Sequence, residues 1–149
     1  ISGRWTRPDL AAVVISRGDF IPYWRADLHT FEVKTARGLD VTSVHEANAH
    51  GRFGHFAWLV FQAIGNAHRE TAHFERVLAS AAFVGVGVIS FEKAADPSDW
   101  VIEQWPVRTN ADNSVADAFV NERFDTHRKA SIRGYLAELG WKDMGLDNA

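Results

Sequence analysis

Four short runs rich in β-branched and aromatic residues punctuate the first hundred positions: DLAAVVIS (9–16), LHTFEVKT (28–35), HFAWLVFQ (55–62) and VGVGVISFE (84–92). Each is strand-length and bounded by glycine, proline or polar clusters, so each reads as a β-strand. The first, with no polar residue between Asp9 and Ser16, suits a strand buried on both faces. Between the second and third runs, Val41, Val44 and Ala47–Asn48 recur at helical spacing. Asp40 or Thr42 serves as the N-cap and Gly51 and Gly54 as the stop. A second helix is expected over about 67–82, with Phe74, Val77, Leu78 and Ala81 on one stripe. The run 99–108 is a further strand that Pro106 confines to an edge. From Ser114 to Trp141 the pattern is helical, with Gly134 and Gly140 as interruptions. Such an order predicts an α/β (α+β layered) fold in which a central sheet is flanked by helices, and 149 residues make one domain.

The second run carries an oddity. Along a strand, Leu28, Thr30, Glu32 and Lys34 share one face while His29, Phe31, Val33 and Thr35 share the other. An acid and a base therefore stand two residues apart on a strand that otherwise reads as core. A charge taken from water is costly unless something specific offsets it. The preceding stretch, RGDFIPYWRAD (17–27), holds Gly18 and Pro22 and reads as a loop or ragged hairpin connection, with Arg17-Gly18-Asp19 in a turn.

The net charge of −3 offers no global attraction to a phosphate backbone, so any nucleic-acid contact must come from a local basic patch, a metal ion or another chain. With no cysteine, disulfide scaffolds and thiolate zinc sites are excluded, and a cytoplasmic setting is expected. No apolar run is long enough to span a bilayer. The chain opens on Ile1, which suggests a trimmed piece of something longer.

If strands 9–16 and 28–35 are neighbours, Asp9 approaches Glu32 and Lys34 at one end of the sheet. Two carboxylates ~4 Å apart repel by about 4 kcal/mol at an effective dielectric near 20, so they share a proton or hold a cation. A hard divalent ion suits oxygen ligands of this kind. Mg²⁺ is usually held by one or two carboxylates, with water and phosphate oxygens completing its octahedron. Lys34 beside them supplies a positive group that orients an attacking water, so the set suits phosphodiester hydrolysis.

RPDL and, 23 positions on from Asp9, the segment FEVKT together resemble the PD-(D/E)xK motif of the restriction-endonuclease-like nuclease superfamily. The motif residues are Pro8-Asp9 and Glu32-Val33-Lys34, and the resemblance spans roughly 7–62. It implies a central mixed sheet and Mg²⁺-dependent hydrolysis of DNA, with Mn²⁺ as a substitute ion and RNA not excluded. Under it, Asp9 and Glu32 ligate metal, the Val33 carbonyl adds a ligand, and Lys34 positions the nucleophilic water. The superfamily often places a polar residue on the next helix, and Glu46 and His50, one turn apart, take that accessory position here. It also usually has a helix ahead of the first strand. Only eight residues precede Asp9, so that helix is expected in a missing part of the gene product or from another protomer, as in a homodimer or with a partner domain. A catalytically inactive module of the same fold, binding nucleic acid or a partner protein, is the alternative.

Arg4, Arg7, Arg17, Arg25, Arg37 and Arg52 all fall in about the first third of the chain and are expected around the site. Arg7, Arg37, Arg52 and Trp24 are the nucleic-acid contacts predicted from this pattern, and Trp5 and Trp24 could stack on bases. His45 and His50 are five apart, about 140° around a helix, so HEANAH is no zinc motif. Apart from His50, the histidines read as surface or interface groups. VGVGVIS lacks phosphate-loop register and reads as a strand needing close backbone packing.

Overall fold

The computed structural model describes residues 6–140. Five strands form one sheet in the order β1-β2-β3-β4-β5: β1 (Leu10–Arg17), β2 (Trp24–Thr35), β3 (Phe56–Gln62), β4 (Gly87–Phe91) and β5 (Val101–Gln104). The outer pairs β1/β2 and β4/β5 are antiparallel and the inner pairs β2/β3 and β3/β4 are parallel, so the sheet is mixed. Four α-helices accompany it: α1 (Val41–Ala49), α2 (Ala72–Val84), α3 (Asn113–Arg123) and α4 (Thr126–Glu138). The expected α/β layered class is what the chain adopts.

The parallel pairs dictate where two helices go. Joining β2 to β3 and β3 to β4 needs a crossover each time, supplied by α1 and α2. Two crossovers of one hand, progressing in one direction, must land on the same face. Accordingly Val44 and Ala47 of α1 and Phe74, Val77 and Ala81 of α2 bury against Ala57, Leu59 and Phe61 of β3 and Val88 of β4. The pairing Thr30↔Ala57, Glu32↔Leu59 and Lys34↔Phe61 puts the even residues of β2 on that face too. A second cluster, Leu28, Phe53, Ala116 and Phe119, seats α3 on the β1–β2 part of the same face, with Ala11 and Val13 beneath it. The other face holds His29, Phe31 and Trp58, with Leu10 60% and Val14 45% exposed. β1 is therefore not buried on both faces as its unbroken apolar run predicts. It is an edge strand, and its helix-side residues are the shielded ones.

Caps and glycines set the boundaries. Asp40 accepts the Ser43 N–H at 2.9 Å and Ser43 Oγ accepts the Asp40 N–H, a capping box that starts α1. α2 ends at Gly85, whose φ of 77° is open to glycine at little cost. At Gly87 a β-carbon would overlap the indole of Trp58, so the close packing expected of VGVGVIS is real. Three expectations need correction. β2 begins at Trp24, because Gly18 closes a short turn through its N–H to Tyr23 O, at 2.9 Å, and the chain re-enters the ladder at once. The C-terminal helix is two helices, since Asp125 caps a new start by accepting the Arg128 N–H at 2.8 Å. Gly134 does not interrupt α4. Arg4, Trp5 and Trp141 lie outside the described residues.

Candidate functional site

The register Leu10↔Phe31, continued by one residue, sets Asp9 opposite Glu32 where β1 begins and β2 nears its end. This is also the carboxyl end of the parallel strands, the usual place for ligands in sheets of this kind. Asp9 is fixed twice: its N–H donates to Phe31 O at 3.0 Å, and its Oδ2 accepts the Val33 N–H at 2.8 Å. That second bond pins the carboxylate across the E-x-K segment. In an extended residue the N–H and C=O point to the same edge, so the Val33 carbonyl faces the Asp9 side as well.

Glu32 and Lys34 project from the helix-covered face beneath α1. The Lys34 ammonium lies 3.1 Å from Glu32 Oε1 and also pairs with Glu46 from α1. His50, just past α1, sets its Nε2 3.9 Å from Glu32 Oε2, near but beyond hydrogen-bond length. The residue is 2% exposed and its Nδ1 is buried with no hydrogen-bond partner. Asp9, Glu32, Val33, Lys34, Glu46 and His50 are thus brought together.

The charges strain against one another in a legible way. Burial raises the Glu32 carboxyl above its ordinary range, with Asp9 and Glu46 adding to the rise and Lys34 opposing it. Hydrogen bonds to Glu46 and Glu32 push Lys34 up to about 12, so it remains a cation at any physiological pH. Burial lowers His50, against the pull of Asp9 and Glu46. A neutral imidazole, a permanent ammonium and a carboxylate resisting ionisation therefore share one small space.

The donor set, two carboxylates and a facing carbonyl, fits a hard divalent cation, and added positive charge is what would relieve Glu32. Among the described residues no group of three or more His, Asp or Glu stands around one point as a ready-made cage. A site of this kind relies on water and substrate oxygens for the remaining coordination.

The basic surround differs from expectation. Trp24 and Arg25 open β2, paired with Arg17 and Ser16, about 26 Å along the strand from Glu32 at ~3.3 Å per residue. Trp24, Arg17 and Arg25 thus stand away from the site. Arg52 lines a separate cavity on the other flank of α1, with His45, Val84 and Val107. Arg37 is exposed in a 3₁₀ turn just after β2. Arg7 stays close: with Asp9 it lines a cleft of about 570 Å³ whose far wall holds Arg123 and Arg128 of the α3–α4 corner. Those two arginines are more than a hundred residues from Asp9 in sequence and nothing local to them signals the site. The histidines are not all superficial either. His55 is 2% exposed, accepts the Leu28 N–H on Nδ1 at 2.9 Å and meets Asn113 Oδ1 through Nε2 at 2.9 Å.

No protein-family model, curated protein or solved structure matches this chain, so the site is read from its own geometry. Among the described residues no helix is long and apolar enough to cross a membrane.

Proposed function

We propose that this chain is a Mg²⁺-dependent nuclease that hydrolyses DNA phosphodiester bonds. The observation that carries the reading is the Asp9 carboxylate clamped onto the Val33 N–H, which sets one acid beside Glu32 and Lys34 from a strand 23 residues away. Asp9, Glu32 and the Val33 carbonyl would hold the ion. Bound there, Mg²⁺ would neutralise phosphate charge and make a coordinated water more acidic. Lys34, held protonated by its two acids, cannot accept a proton; it donates hydrogen bonds that orient the water and favour its anionic form. Glu46 fixes the ammonium from the α1 side. His50, buried and of lowered basicity, presents a neutral ring to Glu32.

The test is cleavage of DNA with Mg²⁺ or Mn²⁺ by wild type and by Asp9→Ala, Glu32→Ala and Lys34→Ala. Loss of an ion ligand is expected to exceed the ~10–100-fold typical of groups that only support ligands. Unchanged cleavage in all three would end the assignment. One observation favours the alternative, a non-cutting module that binds nucleic acid or a partner: Glu46 competes for the ammonium that the reaction needs. Calorimetry separates the two, because a scaffold without chemistry has no reason to take up Mg²⁺.

A further inference from the structure

The cleft beside Asp9 is asymmetric in charge. Three guanidiniums face it, from Arg7, Arg123 and Arg128, against two carboxylates, Asp9 and Asp125. Asp125 is already committed, capping α4 through the Arg128 N–H and pairing with the Arg128 guanidinium. Asp9 is committed to Val33. Among the described residues neither Arg7 nor Arg123 has an acidic partner within ion-pair distance. Two uncompensated guanidiniums therefore look into a cleft whose inner end is a proposed ion ligand. The start of α4 adds the positive end of its dipole to the same wall. Planar guanidinium forks match phosphate oxygens in pairs, as an ammonium does not.

We infer that Arg7 and Arg123, with Arg128 behind them, grip a phosphate neighbouring the one being cut, so that the substrate strand enters across the start of β1 along the α3–α4 corner. The inference rests on the hydrolase reading and narrows it. The substrate is a polynucleotide strand carrying at least two consecutive phosphates, and a simple phosphodiester leaves the grip empty. It also moves the nucleic-acid contact surface away from Arg52 and Trp24, keeping Arg7 and adding Arg123 and Arg128 from the α3–α4 corner.

The experiment compares a short single-stranded DNA with bis(p-nitrophenyl) phosphate, which has one phosphate only, both with Mg²⁺. In Arg123→Ala, kcat/KM on the DNA should fall about tenfold further than on the one-phosphate ester, as befits a lost charge-assisted contact. The slope of log affinity against log salt should become shallower by about 0.7, the share of one phosphate contact on a single strand. Arg123→Lys should restore the salt slope and only part of the rate. Equal losses on both esters, or an unchanged slope, would overturn the grip while leaving the hydrolase standing. If wild type cuts neither ester, the hydrolase reading fails. The grip is then decided by anisotropy of a labelled strand in Ca²⁺, where wild type that does not bind, or Arg123→Ala that binds as tightly, overturns it.

Discussion

Strand β2 carries a charged cluster near each end, and the two have opposite characters. At the start, Asp27 is 3% exposed and fully engaged: Arg108 donates to its Oδ1 through Nε and Nη2 at 3.2 and 3.1 Å, and Arg25 pairs with its Oδ2. His55 beside it has both ring nitrogens bonded, to the Leu28 N–H and to Asn113. At the far end, Glu32 resists ionisation, His50 keeps an unpartnered Nδ1, the Lys34 ammonium sits between Glu32 and Glu46, and the Asp9 carboxylate holds the Val33 N–H. One cluster is satisfied and locks the β2 entry to the segment after β5. The other is left short of positive charge, with a carboxyl that burial holds protonated to higher pH and an imidazole nitrogen that nothing satisfies.

That contrast can be broken most directly by removing each acid. Asp27→Ala removes the shared acceptor of Arg108 and Arg25, both of which keep water, and should cost about 2 kcal/mol in urea unfolding. Glu32→Gln, by contrast, should leave stability at neutral pH equal or higher while abolishing cleavage. Equal destabilisation by the two would show that both clusters are structural.

The next effect is one of sign. Folded Glu32 holds its proton to higher pH than the unfolded chain, whose ordinary value is 4.5, so folding binds more protons in that window and stability falls as pH rises through it. Unfolding curves of wild type and Glu32→Gln should therefore diverge as pH increases above 4.5, and Mg²⁺ should narrow the gap. His50 runs the other way: its lowered value means stability is lost as pH falls below 6.5, and His50→Gln should flatten that limb. Parallel curves for wild type and both variants would remove the strain assigned to this end. The smallest effect belongs to the satisfied end, where Asn113→Ala deletes one bond to His55 and should cost about 1 kcal/mol with cleavage intact.

Much of this was legible in the sequence, for physical reasons. Alternation along 28–35 sets Glu32 and Lys34 on the core side because a strand has period two, and Asp40 announces α1 because its side chain can bond a free N–H. The β2 entry was hidden: Trp24 and Arg25 follow Gly18 and Pro22 and look like loop, yet their backbone pairs with β1 whatever their side chains are. The break between α3 and α4 has neither glycine nor proline and depends on Asp125 alone. Burial of His55 and the arrival of Arg123 beside Asp9 are products of packing between distant segments, which no local pattern encodes.

Gly87 has a consequence for observing the molecule. By making room for the Trp58 indole, it lets that ring donate its N–H to His29 Nδ1 at 3.0 Å and meet Trp105 edge-on at 6.3 Å. Burial holds His29 deprotonated until the solution turns acidic, when the acceptor disappears. The Trp58 share of the indole emission, read as the difference between wild type and Trp58→Phe, is thus a built-in optical gauge of the sheet, apart from the helical dichroism that reports the opposite layer, and His29→Gln should remove the acid response of that share.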